Sequence, residues 1–539
     1  MWRKREDIGE RPHLVRLPIN GVTWLVAEDD QERLLAAARA GWQGEVQRIT
    51  SGRRVVRVDG RAGAVVLKHF RAQGVGAVLK GLLRISPASQ EWTALHKVRR
   101  LGLPAPRPVA LGKPRGLLHR EGLLVTEALD GVLPLDAVLF GEGRVRGRAR
   151  FELIQGAARL LRWMHETGVF QWDLHLGNIL ARPAAGGAEL FLVDLQRVKV
   201  GTRLRQAIRW RDLAILHGGC VEASLTDRLR FLKAYLAGPP PLPVNLKALT
   251  TLLEHRGTSH RFRLWEGRKR RCVTENQEFC NVRVGGFSGF ARRASWTEDL
   301  QHLFDVRGAI FTRPGVRMLK DSRTTAGGLI PSPRGNLFVK RYNFQSMGYA
   351  FKDLLRPSRA RRVWVIANSL RMRGIPTPQP HAYLERRRLR VLLESYLVTE
   401  GVEGVRLIEF SDRFRGPGPS FLLKRRLARE IATLVRRLHE RGVSHRDLKG
   451  HNLLVQEESP ERVRPLLLDL DGVRIRRVTW RRRVRDLARL ARDFGDRSPL
   501  TRTDRVRFLQ AYLRPRRRHS WKKLWRRIAI IQARARANW

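Results

Sequence analysis

Hydrophobic and polar positions along the chain alternate with two different periods. Val65-Val-Leu-Lys68-His-Phe and Leu337-Phe-Val-Lys340-Arg-Tyr are short apolar runs with period-two character, each ending near a lysine, and they predict strands. Pro87-Ala-Ser-Gln-Glu91-Trp92 opens a helix-like stretch that runs to Arg100, and Pro357-Ser-Arg-Ala-Arg-Arg-Val363-Trp364 opens a second one. Gly102-Leu-Pro-Ala-Pro-Arg-Pro108 and Gly374-Ile-Pro-Thr-Pro-Gln-Pro380 end those helices and start extended segments. An apolar strand follows in each case, Leu123–Glu127 and Tyr396–Glu400.

The elements therefore come in pairs, and the pairing continues downstream. Met164-His165-Glu-Thr-Gly168 returns as Leu438-His439-Glu-Arg-Gly442, and Asp173-Leu-His-Leu-Gly-Asn178 returns as Asp447-Leu-Lys-Gly-His-Asn452. Val193-Asp194-Leu matches Leu468-Asp469-Leu, and Arg211-Asp212-Leu-Ala matches Arg485-Asp486-Leu-Ala. Asp227–Leu236 matches Asp504–Leu513. Ordered matches at one period of about 275 residues identify a duplicated domain. The expected fold is α+β, two tandem domains, each with a small strand-rich lobe followed by a larger helical lobe. The expected boundaries are a first domain over 1–265 and a basic linker, or the start of the second domain, over 266–300. The second domain then covers 301–513, with a basic tail over 514–539. Gly285-Gly-Phe-Ser-Gly289 is expected to be a flexible turn.

Each copy repeats a set of residues suited to phosphoryl transfer, which depends on positioning and charge more than on covalent chemistry. One carboxylate must orient an acceptor hydroxyl and take its proton. An Asn and a second carboxylate must hold a metal that bridges phosphates, and a cation must hold the nucleotide. Asp173, Asn178, Asp194 and Lys68 fill these places in the first copy; Asp447, Asn452, Asp469 and Lys340 fill them in the second. The second Asp follows the first by roughly twenty residues, a gap that suits a loop and a two-strand hairpin.

His445-Arg-Asp447-Leu-Lys-Gly-His-Asn452 resembles the catalytic loop of protein kinases. Gln171-Trp-Asp173-Leu-His175-Leu-Gly-Asn178 looks more like the small-molecule and sugar kinases of the same superfamily. Together with the Gly-x-Pro-x-Pro-x-Pro segments and Val-Asp-Leu in place of Asp-Phe-Gly, the chain resembles the lipopolysaccharide kinase family over residues 50–236 and 325–513. That resemblance implies protein-kinase-like domains that use ATP and Mg to phosphorylate Kdo or heptose in a lipid A–core glycolipid. It implies catalytic bases at Asp173 and Asp447, and Mg ligands at Asn178, Asp194, Asn452 and Asp469. It further implies phosphate-contacting lysines at Lys68 and Lys340, with Glu91 as the partner of Lys68. Glu127 and Glu400 would fall at the hinge, where backbone groups meet adenine. His165 and His439 are expected to pack structurally, and Asp212 and Asp486 to support the catalytic loop.

The copies also depart from the pattern. Val363 stands where the first copy has Glu91, so Lys340 lacks its expected partner, and Gln171 stands where the kinase pattern often has His. Neither copy has a clean glycine-rich loop; Gly52 and the stretch Thr324–Gly328 are the candidates.

Composition narrows the partners. With 106 Lys and Arg against 50 acidic residues the formal charge is +56, which draws the chain to polyanions such as acidic lipid or phosphorylated sugar. A cationic aminoglycoside acceptor would be repelled. No finger, helix-turn-helix or aromatic RNA-binding motif accompanies the charge, so no nucleic acid is expected. Trp521, Leu524, Trp525 and Ile528 follow helical spacing with Lys and Arg between them, in a tail that begins at His519. That stripe could lie in an anionic membrane surface or pack on the second domain. The sequence predicts no spanning segment and no signal peptide. Three cysteines, Cys220, Cys272 and Cys280, are too scattered for a disulfide scaffold or zinc site. The expected location is cytoplasmic, peripheral on the inner membrane of a Gram-negative bacterium. A Ser/Thr protein kinase, a pairing of one active domain with one regulatory pseudokinase, and a non-catalytic scaffold remain as alternatives.

Overall fold

The computed structural model describes residues 13–50, 52–71, 86–114, 121–141, 143–184, 187–201, 204–238, 241–305, 309–343, 357–388, 391–416, 421–459, 462–495, 499–514 and 520–537. Ser51 and His519 lie outside them. The chain divides into two compact units, Met1–Arg263 and Leu264–Trp539.

The first unit opens with strands β1 (Leu14–Ile19) and β2 (Val22–Ala27), helix α1 (Gln31–Arg39), and strands β3 (Glu45–Thr50), β4 (Arg53–Val58) and β5 (Val65–Arg71). Helix α2 (Pro87–Arg100) and strands β6 (Pro108–Pro114) and β7 (Glu121–Glu127) follow. The strands form one antiparallel sheet in the order β1-β2-β6-β7-β5-β4-β3. Trp24, Val26, Leu34, Val56 and Val65 form one core against this sheet. Phe70, Leu111 and Leu124 join Trp92 and Leu95 of α2 in another, which continues into the helical lobe.

The second unit repeats this sheet with Phe279–Val284, Phe287–Arg292, Pro380–Arg388, Val391–Glu400, Leu337–Tyr342, Thr325–Ile330 and Arg317–Asp321 in the same spatial order. Both units thus carry a hairpin at the sheet edge that apolar periodicity did not reveal. The stretch read as a linker or domain start holds the second of these hairpins. Within the stretch expected to turn, Gly285 and Gly286, with φ of 52° and 82°, make a tight two-residue loop between paired strands, and Phe287–Gly289 belong to the second strand.

The helix after the lysine strand is built alike in both units. Ser86 accepts a hydrogen bond from the Ser89 amide at 3.1 Å, and Ser358 from the Arg361 amide at 3.0 Å, capping α2 and Arg359–Met372. Gly102 and Gly374, with φ of 77° and 62°, close the far ends, where Leu103 N–H reaches Val98 and Ile375 N–H reaches Leu370.

The helical lobes centre on Gly147–Glu166 and Phe421–Glu440, whose apolar faces are buried. Leu225–Leu236 and Arg502–Leu513 pack against them and start with capping boxes, Ser224 with Asp227 and Thr501 with Asp504. The tail forms a helix, Trp521–Ala537. Leu524 and Ile528 are buried, and Trp521, Trp525 and Ile531 pack on the same core of the second unit. The apolar stripe is therefore used inside the protein and is not free to enter a membrane. Among the described residues no helix is long and apolar enough to cross one.

Candidate active site

In each unit the Asp expected to be the base, Asp173 or Asp447, stands just after a three-residue strand, Val169–Gln171 or Val443–His445. Five residues on, the Asn amide folds back: Asn178 Nδ2 donates to the Asp173 carbonyl at 3.1 Å, and Asn452 Nδ2 to the Asp447 carbonyl at 2.8 Å. This commits the amide nitrogen and leaves Oδ1 as the atom able to face a cation. A hairpin then returns the chain, with the Val193 and Leu468 amides bonded to the Asn178 and Asn452 carbonyls at 2.9 Å. That bond sets Asp194 and Asp469 beside the loop. Both have left-handed backbones, φ 61° and 28°, a conformation costly for a residue with a side chain and common where a functional group must be aimed.

The loop itself is held from below. Asp212 accepts from the Gln171 amide at 3.0 Å and Asp486 from the His445 amide at 3.1 Å, so both acids support the loop. His165 and His439 bond Tyr235 and Tyr512 through Nδ1 at 2.7 Å, with their Nε2 atoms 3.5 and 3.3 Å from Asp212 and Asp486. Both rings are buried, and burial pushes them below the usual histidine value. They are structural, as expected.

Gln171 does the work expected of a histidine. Its Nε2 donates to the Asp194 carbonyl at 3.0 Å, and His445 Nε2 meets the Asp469 carbonyl at 2.9 Å. His445 Nδ1 accepts from the Asp447 amide at 3.1 Å, which assigns the ring proton to Nε2. Burial lowers the His445 pKa, favouring the neutral form this pattern requires.

The lysines differ between units. Lys68 Nζ lies 2.5 Å from Glu91 Oε1, both buried, and Glu91 Oε2 has no hydrogen-bond partner among the described residues. In the second unit Val363 is core, and Lys340 turns instead to Asp471 at 2.8 Å and Asp469 at 3.1 Å. Asp471 also lies 3.6 Å from Arg359. The lysine is thus not left without a carboxylate: Asp471 takes the place of the helix glutamate. Burial alone would raise the Asp469 carboxyl, but the Lys340 charge and hydrogen bond hold it below its ordinary value. Asp471 was legible in Asp469-Leu-Asp471, against Asp194-Leu-Gln196, and went unnoticed because its role depends on tertiary placement.

In the first unit Asp194 is met by Arg53 of β4, 2.6 Å from Oδ1. A cation thus already sits at each of these carboxylates, Arg53 on Asp194 and Lys340 on Asp469. With an Asn oxygen nearby, the donor set suits a hard divalent ion completed by phosphate oxygens. Among the described residues no cluster of three or more His, Cys, Asp or Glu forms a self-sufficient metal site.

Glu127 and Glu400 serve the scaffold. The Glu127 carboxylate accepts from the Arg107 amide at 2.7 Å and its amide donates to the Arg107 carbonyl at 2.9 Å; Glu400 does the same with Gln379 at 3.1 and 2.8 Å. The carboxylates and amides that sequence reasoning set at the nucleotide hinge are thereby engaged. Gly52 lies at the turn between β3 and β4, whereas Thr325–Gly328 run within a strand, so of that second glycine-rich candidate only Thr324 precedes the strand.

The profile of the lipopolysaccharide kinase (Kdo/WaaP) family matches residues 37–235 and 335–512, well over half of the chain and once in each unit. The chain belongs to the lipopolysaccharide kinase (Kdo/WaaP) family. It resembles the lipopolysaccharide core heptose(I) kinase WaaP of Escherichia coli, 29% identical over 211 residues that cover 36% of this chain and 79% of the relative. It also resembles the enzyme of that name from Pseudomonas aeruginosa PAO1, 33% identical over 216 residues, covering 36% of this chain and 78% of the relative. A solved structure of WaaP in complex with acyl carrier protein aligns with 44% of this chain and 98% of its own, at 24% identity and a TM-score of 0.34. The family profile matches once in each unit, so this member of the lipopolysaccharide kinase family carries the kinase-like domain twice. Its activity is, in general terms, that of a nucleotide- and metal-dependent kinase.

Proposed function

We propose that this chain transfers the γ-phosphate of ATP to a sugar hydroxyl, of Kdo or heptose, in the lipopolysaccharide inner core. The observation that carries the reading is the repeated constellation. In both units the Asn amide locks onto the carbonyl of the loop Asp, and a left-handed Asp returns beside it.

In this reading Asp173 and Asp447 orient the acceptor hydroxyl and take its proton. Asn178 with Asp194, and Asn452 with Asp469, would hold Mg, whose charge would offset that of the nucleotide's phosphates. Lys68 and Lys340 hold the nucleotide's phosphates, Lys68 positioned by Glu91 and Lys340 by Asp471. Glu127 and Glu400 mark the hinge at which adenine sits and act there by fixing the backbone.

The acceptor follows from the family and from the names of the relatives, core heptose(I) kinases. A charge of +56 favours a phosphorylated acceptor at an anionic surface, and placement at the cytoplasmic face of the inner membrane fits it. Against a protein acceptor, the helix Trp480–Arg492 begins within a few residues of the short strand Val473–Ile475. Little chain is left there to form a peptide platform.

The test is transfer of labelled γ-phosphate from ATP to purified lipid A–core glycolipid and, in parallel, to generic protein substrates. Label in the sugar supports the reading. Label in protein alone would overturn it in favour of a protein kinase.

A further inference from the structure

The second unit holds a cavity of about 560 Å³ beside the far end of the helix Arg359–Met372, lined by that helix, the Lys269–Val273 turn and the edge hairpin. It is away from Lys340 and the catalytic loop, none of whose residues line it. Its wall carries Arg268, Lys269, Arg271, Arg292, Arg371 and Arg464 against a single acid, Glu278. Lys269 pairs with Glu266 and Arg292 with Glu278. Arg268, Arg271, Arg371 and Arg464 have no carboxylate partner among the described residues.

A cluster of cations at a helix C-terminus can simply balance the dipole, but the dipole amounts to roughly half a charge. Four guanidiniums without a carboxylate partner, of which Arg371 also donates to the Thr377 carbonyl at 3.2 Å, exceed that several-fold. Behind this wall Ser369 Oγ and Arg292 Nε are buried with no hydrogen-bond partner among the described residues. Desolvation and the charges of Arg292 and Arg464 push the Arg371 guanidinium below its ordinary value. The fold does not impose this arrangement. The sheet register aligns Arg292 with Ala27 and Arg464 with Glu189 of the first unit, where Glu189 pairs with Arg182.

We propose that this cavity is an anion site for a phosphate or pyrophosphate group, separate from the site of phosphoryl transfer. Planar guanidiniums suit phosphate oxygens because they donate several charge-assisted hydrogen bonds at once. The same chemistry is offered by a nucleotide and by a phosphorylated sugar, whichever reaches it.

The experiment is calorimetric titration of the full chain with inorganic pyrophosphate, without divalent metal. Arg371→Gln/Arg464→Gln is compared with Arg526→Gln/Arg527→Gln, which removes the same charge from the exposed face of the tail helix. All four side chains belong to exposed residues, and circular dichroism checks that each variant is folded. The cavity pair should weaken pyrophosphate binding at one site by about tenfold or more, and the tail pair should leave it unchanged. Displacement of pyrophosphate from that site by glucosamine 1-phosphate would assign it to a phosphorylated sugar, and displacement by ATP alone to a nucleotide. Equal weakening by both pairs, or none by the cavity pair, would overturn the proposal.

Discussion

Lys340 Nζ lies 2.8 Å from Asp471 Oδ2, a carboxylate two residues beyond the Asp that follows the catalytic hairpin. In the first unit the equivalent lysine is held by Glu91 from helix α2, and the position matching Asp471 is Gln196. The two units therefore keep a lysine–carboxylate pair but draw the carboxylate from different elements. Asp471→Asn should slow transfer by the second unit by about tenfold or more, the equivalent of 1.4 kcal/mol in the barrier. Gln196→Ala should leave the first unit's rate nearly unchanged. The pair is partly exposed, so its effect on stability should be small. Rates measured on chains with the other unit's catalytic Asp changed would show it, and an unaffected Asp471→Asn rate would remove Asp471 from the site.

Gln171 and His445 make the same bond to the carbonyl of the following Asp, one with an amide and one with a neutral ring. His445→Gln should therefore keep second-unit transfer within about fivefold of wild type. His445→Ala leaves a carbonyl without its donor and should cost about 1–3 kcal/mol. The folded pKa of His445 lies below its ordinary 6.5 because of burial. Its contribution is thus complete above pH 6.5 and is lost as pH falls through the folded value. The acid limb of the second unit's pH–rate profile should be shallower in His445→Gln, and equal losses in the Gln and Ala variants would argue against the shared role.

Leu524 is 1% exposed and anchors the tail helix to the second unit's core. Leu524→Ala should destabilise that unit by about 2–5 kcal/mol. Calorimetry of the whole chain should show the second unit's transition lowered. A transition that does not move would mean the helix is not docked in solution.

Much of this was written in the sequence, for a physical reason. The loop Asp, the Asn and the returning Asp are set by local turns, so their spacing survives duplication and can be read from one copy to the other. Asp212 and Asp486 were legible from the repeated Arg-Asp-Leu-Ala and from the family resemblance. The residues that were missed act across the fold. Asp471 reaches Lys340, and Arg53 reaches Asp194, only after the sheet and the hairpin are assembled. The edge hairpin Leu14–Ala27 and its counterpart Phe279–Arg292 escaped because their residues do not match from one copy to the other, so the repeat did not mark them. The tail stripe was equally consistent with membrane and with core, and only the buried Leu524 and Ile528 decided it.

The account rests on two working transfer sites, and replacing the loop carboxylates tests it most directly. Phosphate transfer from ATP to lipid A–core glycolipid would be measured for wild type, Asp173→Asn, Asp447→Asn and the double variant. Each single change should remove one unit's share of the label, and the double change should lower transfer by about 10²–10⁴. Wild-type transfer by the double variant would contradict the account.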